Sequence, residues 1–189
     1  MVFMARLVPL LISLLLAACQ TNTQEGVFNK ALVSVKTAKG VCYVNGSPFS
    51  GTLIETSAKG DTLVVENFVE GRENGEWKKF YSRGVRKEVR HYRRGKKNAD
   101  YLAWWENGQP QLLYHFKDGE YEGILKEWDE NGQLVKESTY VAGYEEGPQK
   151  AWYPNGKVRS NYVVLNGRRY GLLGTKNCIN VSDSVFAEL

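Results

Sequence analysis

The chain has 189 residues, 42% of them hydrophobic, with 25 Lys and Arg against 21 Asp and Glu, a net charge of +4. That length suits one domain. Past the N-terminus no apolar run is long enough to cross a bilayer, which excludes a helical multi-span membrane protein.

Residues 1–18 read as a signal peptide outside the fold: Arg6 is the only charge, and Leu7 to Leu16 has the length of a secretory apolar core. The run ends Leu16-Ala17-Ala18-Cys19, which resembles the bacterial lipobox. The resemblance implies cleavage before Cys19, then acylation of its sulfur and new amine. Several acyl chains together anchor a protein stably. Gln20 stands after the cysteine where Asp would favour the inner membrane. The expected address is therefore the bacterial envelope, at the outer membrane on its periplasmic side. Residues 19–31 are polar and read as a tether, and 32–189 as the folded domain.

Within that domain, Leu32-Val33-Ser34-Val35 and Val41-Cys42-Tyr43-Val44 flank Ala38-Lys39-Gly40, a divergent hairpin over 32–48. From residue 49 to 171 glycines recur every 24 residues. One series is Gly60, Gly84, Gly108, Gly132, Gly156; a second is Gly71, Gly95, Gly119, Gly143, Gly167. A third, Gly51, Gly75, Gly123, Gly147, Gly171, is interrupted only by Ala99. Such a ladder means stacked copies of one small supersecondary unit. Asn107-Gly108, Asn131-Gly132 and Asn155-Gly156 separate runs rich in β-favouring residues, so a type I′ hairpin turn is predicted there. The second series supplies the return turn. Residues 172–189 and the divergent hairpin are expected to cap the open ends. The fold expected is an all-β, elongated, single-layer antiparallel meander of about a dozen strands.

Aromatic residues keep the same period. Phe80, Trp104, Trp128 and Trp152 stand four residues before the first-series glycine, and Phe68, Tyr92, Phe116 and Tyr140 eight after it. The turn register sets the second group opposite the third glycine series, where a ring compensates for a missing side chain. Gly75-x-Trp-x-x-Phe-Tyr-x-x-Gly84, followed by Tyr92 and Gly95, resembles the MORN-variant repeat. Chains of such repeats are grouped as YwqK-like antitoxin proteins. The resemblance covers about 49–171 and implies antiparallel hairpins with lipid-binding or scaffolding roles; a secreted, anchored chain does not fit neutralisation of a cytosolic toxin.

Charge is uneven. Lys78–Lys97 holds ten basic residues against Glu88, and Lys117–Gly147 nine acids against three Lys. The basic segment, through Lys87, Arg90, Arg93 and Arg94, offers a site for an anionic lipid or glycan surface. Nucleic acid is not an expected partner at this address. Trp104, Trp128 and Trp152 are the candidate contacts for a protein partner. His91 and His115 are paired across their hairpins with Glu76 and Asp100, one repeat apart and too far to share a metal ion; no cofactor or metal is expected. Cys42 and Cys178 remain after Cys19 is acylated, either bonded to each other if the sheet curls or free, in which case redox exchange or copper(I) binding are open to them. The function these readings support is a non-enzymatic envelope scaffold. The alternatives are the anionic-surface binder and an accessory to a redox or copper system.

Overall fold

A computed structural model describes residues 24–174. Among them the regular structure is β throughout, apart from two single 3-10 turns at Lys30–Leu32 and Ser82–Gly84. The signal peptide, Cys19, Cys178 and all but the first residues of the expected C-terminal cap lie outside the described residues.

Strand β1 (Gln24–Asn29) is followed by the hairpin β2 (Val35–Ala38) and β3 (Val41–Val44), then by β4 (Ser47–Thr56). The repeats continue as β5 (Thr62–Val69), β6 (Arg72–Glu73), β7 (Gly75–Phe80), β8 (Arg86–Arg93), β9 (Lys96–Lys97) and β10 (Ala99–Trp104). They end with β11 (Pro110–Lys117), β12 (Glu120–Tyr121), β13 (Gly123–Trp128), β14 (Leu134–Val141), β15 (Tyr144–Trp152), β16 (Val158–Leu165) and β17 (Arg168–Leu172). These form one open 17-stranded sheet in which chain neighbours pair antiparallel. The count exceeds a dozen because bulges cut the two-residue strands β6, β9 and β12 from the longer ones that follow.

The third glycine series sits where the periodicity placed it. Gly51 faces Phe68, Gly75 faces Tyr92, Ala99 faces Phe116, Gly123 faces Tyr140, and Gly147 faces Val164. The turn types, however, are exchanged. Asn107 is not in a left-handed conformation, and neither is Asn131 or Asn155. Their loops run from Trp105 to Gln109 and its equivalents, closed by Gly108 N–H donating to the Trp105 carbonyl. A right-handed turn with glycine last makes a longer loop than a two-residue type I′. Asn107 Oδ1 instead accepts the Gln109 N–H, and Asn155 that of Lys157. The extra residue becomes a bulge one step into the return strand, as between Ala103/Leu112 and Trp104/Pro110. Positive φ at both central residues occurs in the second series: Glu70-Gly71, Arg94-Gly95, Asp118-Gly119, Ala142-Gly143 and Asn166-Gly167. These are the true two-residue turns, and the first four are tied to the hairpin before them through the glycine N–H, as by Gly95 N–H to the Glu73 carbonyl (2.7 Å).

The N-terminal edge also differs from expectation. Residues 24–29, read as tether, form β1 and lie parallel to β4 from Gln24/Phe49 to Asn29/Ile54. The β2–β3 hairpin joins only the first two residues of β4 and caps one end of that edge. A parallel partner carries no hairpin chemistry, so polarity alone made this segment look like linker. What admits it is a glycine pair: a Cβ on Gly51 would stand 2.0 Å from the Gly26 carbonyl oxygen.

The two faces are unlike. Strand alternation puts Phe28, Phe49, Leu53, Phe68, Trp77, Tyr92, Phe116, Tyr140 and Val164 on one face. That inner face holds most of the buried apolar residues; Phe49 and Leu53 are fully buried. Its rings contact in series, Phe28–Phe49 5.8 Å, Phe49–Phe68 6.0 Å, Phe68–Trp77 5.2 Å and Trp77–Tyr92 4.9 Å between centroids. A second run joins Tyr114, Phe116, Tyr121 and Tyr140. Contact along the repeat axis buries a layer that has no second sheet above it.

Candidate functional site

The outer face carries the other aromatic series. Phe80, Trp104, Trp128 and Trp152 end β7, β10, β13 and β15 just before the long loops, and all four are half-buried. By alternation they project away from the inner ladder. Successive members lie two strands apart, about 10 Å. Their spacing is held by neighbours that the periodicity did not single out. The Tyr81 hydroxyl donates to the Trp104 carbonyl (3.1 Å), and Trp105 Nε1–H to the Trp128 carbonyl (3.1 Å). Each reaches from one long loop to the next hairpin, and the signal for both was the aromatic that directly follows Phe80 and Trp104.

The four basic candidates do not make one stripe. Arg90 is on the inner face, 2.8 Å from Glu88, within reach of the Tyr101 hydroxyl (3.2 Å) and stacked 4.6 Å over its ring. Glu88 is buried and also meets Lys79 at 3.0 Å. Burial alone would raise its carboxyl, but bonds from Lys79, Tyr101 and Arg90 bring it below the ordinary range. Arg90 is thus occupied within the fold. Arg93 is exposed on the outer face and pairs with Asp118 at 2.7 Å. Lys87 occupies the bulge of β8, its ammonium 5.1 Å over Tyr81. Arg94 is in a two-residue turn. Glu88 within the segment and Asp118 of the following repeat therefore take up part of its positive charge.

The histidines sit as the register implies. His115 Nδ1 is 2.6 Å from Asp100 Oδ1, and His91 Nε2 is 3.7 Å from Glu76 Oε2. Among the described residues no cluster of His, Cys, Asp and Glu is arranged to hold a metal. Cys42 is buried among Val44, Phe49, Leu53 and Phe68, with no disulfide partner among the described residues. Burial, with Glu66 adding to it, pushes the thiol up, which disfavours the thiolate needed for redox exchange or metal binding.

A cavity of about 560 Å³ opens between the β2–β3 hairpin and the inner face. Its floor is Leu53, Phe68 and Trp77; the hairpin contributes Thr37, Gly40 and Cys42, β6 contributes Arg72 and Glu73, and the next turn and β9 contribute Arg94 and Lys96. The hairpin is pinned by Cys42 N–H donating to the Gly71 carbonyl (2.7 Å). Only glycine suits position 71, where a Cβ would meet Val41 Cγ1 at 2.4 Å. Glu66, at one end, is held by Lys30 at 2.7 Å. The Glu73 carboxyl is raised by burial and by Glu66. The cavity has no local signature in the sequence, because its walls come from the separate segments 35–42, 66–77 and 94–96.

Comparison with known proteins bears on the repeats. Residues 121–142 and 145–162 match the MORN repeat variant, which supports a MORN-repeat protein. No curated protein sequence matches the chain. Among solved structures, a crystal structure of a GtfA/B complex bound to UDP and GlcNAc is similar over 74% of this chain at 10% identity, with a TM-score of 0.24. The match spans 24% of that chain, and a likeness so slight carries no argument about fold or ligand.

Proposed function

We propose that this MORN-repeat protein is a non-enzymatic scaffold of the bacterial envelope, anchored through lipid on Cys19, that presents its outer face to a protein partner. The observation that carries the reading is the row Trp104, Trp128, Trp152: half-buried rings, evenly spaced, on the face opposite the buried ladder. Large aromatics left partly open in a fixed row are the residue type that anchors protein interfaces. A core role is already filled by the inner series. The anionic-surface reading is weaker on geometry, because Arg90 is tied to Glu88 and Arg93 to Asp118.

The test is crosslinking in cells, affinity capture and mass spectrometry, comparing the parent with a folded Trp104→Ser/Trp128→Ser/Trp152→Ser variant. One dominant protein captured by the parent and lost from the variant supports the scaffold. A partner retained by the variant, or capture of lipid or glycan alone, overturns it. Labelling with radioactive palmitate, abolished by Cys19→Ser, tests the anchor separately.

A further inference from the structure

The inner face repeats one polar arrangement. Glu66 has Lys30 at 2.7 Å, Glu88 has Arg90 at 2.8 Å, Glu127 has Lys136 at 3.1 Å, and Glu145 has Arg169 at 2.9 Å. Even Glu55, at the margin, has Lys30 at 3.7 Å. In two of these sets the cation also lies over a ring, Arg90 4.6 Å from the Tyr101 centroid and Arg169 5.6 Å from that of Tyr162. The face thus satisfies its carboxylates with a neighbouring cation, in two sets laid on an aromatic.

Glu73 breaks the pattern. It faces Phe68 across the strand pair, beside Trp77, yet among the described residues no cation stands within ion-pair distance of it. Where that cation would stand, the 560 Å³ cavity opens. The volume falls in the range of small-molecule sites, roughly 300–1,000 Å³. The rim adds a second constraint. With Lys30 taken by Glu66, and with Arg72 and Lys96 at outer-face positions opposite Val69 and Arg93, the cavity lining leaves Arg94 at the rim against Glu73, one charge of each sign. A purely cationic ligand meets repulsion at the rim, and a purely anionic one meets Glu73 inside.

We infer that this cavity binds a zwitterionic ligand, its ammonium on Glu73 over the Phe68–Trp77 floor and its phosphate or carboxylate on Arg94 at the rim. The inference is independent of the outer-face reading, since the two sites share no residue.

Calorimetric titration of the full chain with phosphoethanolamine, β-alanine, ethanolamine and inorganic phosphate tests it. A zwitterion binds saturably and more tightly than ethanolamine or phosphate. Glu73→Gln weakens it about tenfold or more, the scale of one charge-assisted bond. Arg94→Ser weakens the zwitterion and leaves ethanolamine unchanged, which separates ligand contact from damage to the fold. Glu120→Gln, in β12 outside the cavity, changes nothing. Cosedimentation with phosphatidylethanolamine vesicles, lost in Glu73→Gln, assigns the ligand to a lipid headgroup; binding of the soluble zwitterion alone assigns it to a free small molecule. No saturable binding of either zwitterion, or equal affinity in Glu73→Gln and the parent, overturns the inference.

Discussion

Replacing Gly51 by Ala unseats the N-terminal strand while sparing the repeats beyond it. The new Cβ would lie 2.0 Å from the Gly26 carbonyl oxygen and 3.0 Å from the Gly26 carbonyl carbon and nitrogen. A carbon–oxygen contact is tolerable from about 3.3 Å, so β1 must retreat by more than about 1 Å, enough to break its hydrogen bonds with β4. Position 51 also has φ of 139°, a strain of about 1–3 kcal/mol for a side-chain-bearing residue. Retreat of β1 removes Phe28 from Phe49, about 1–2 kcal/mol for a half-buried ring, and parts Asn29 from Thr56 (3.0 Å). The total is about 3–5 kcal/mol. Gly75→Ala is the matched control: the same slot one repeat on, φ 80°, with the nearest atom, Asn67 Cβ, at 3.8 Å. It bears only the left-handed penalty, about 1–2 kcal/mol. Urea unfolding gives the two stabilities, and native-state hydrogen exchange locates the damage. In Gly51→Ala the amides of β1 lose protection while those of β13 to β16 keep theirs. Equal destabilisation by the two variants within about 0.5 kcal/mol, or intact protection over 24–29, would refute the reasoning.

Ala99 holds φ of 65° in a slot that Gly75, Gly123 and Gly147 fill elsewhere. Ala99→Gly therefore relieves about 1–2 kcal/mol of strain against about 0.5–1 kcal/mol of added chain entropy, a net gain of roughly 0.5–1 kcal/mol in urea unfolding; a loss would contradict it. Glu88→Gln strips the buried partner of Arg90 and Lys79 and destabilises the protein by about 2–3 kcal/mol at neutral pH. Because the folded Glu88 carboxyl lies below its unfolded value, this contribution is fully present above the ordinary value of 4.5 and fades as pH falls through the lowered one. A parent–variant difference that persists unchanged at pH 2 would show that the ion pairs are not its source. Glu73 has the opposite sign. Its carboxyl is raised in the fold, so Glu73→Gln is the more stable protein at pH 7, and the advantage disappears below about 4.5. A variant less stable at pH 7 would mean that Glu73 has an internal partner.

The repeat length, the hairpin architecture and the pairing of Gly51 with Phe68, Gly75 with Tyr92 and Gly123 with Tyr140 were legible in the sequence. Each depends on residues less than a repeat apart, and a side-chain period of two leaves little freedom once the turn is placed. So was the facing of Asp100 and His115. Turn type was less legible. Asn-Gly satisfies both a type I′ turn and a right-handed turn closed by glycine, and loop length decides between them. Three further features were settled only by tertiary structure. Residues 24–29 became a parallel strand because Gly26 and Gly51 allow backbones to touch, a contact with no local signature. The two aromatic series parted to opposite faces because of the residue count between turn and bulge, so one became core and the other surface. Among the described residues Glu73 was left without a cation, over a cavity that forms because the β2–β3 hairpin is held to the Gly71 turn across about thirty residues of chain, a closure no periodicity encodes.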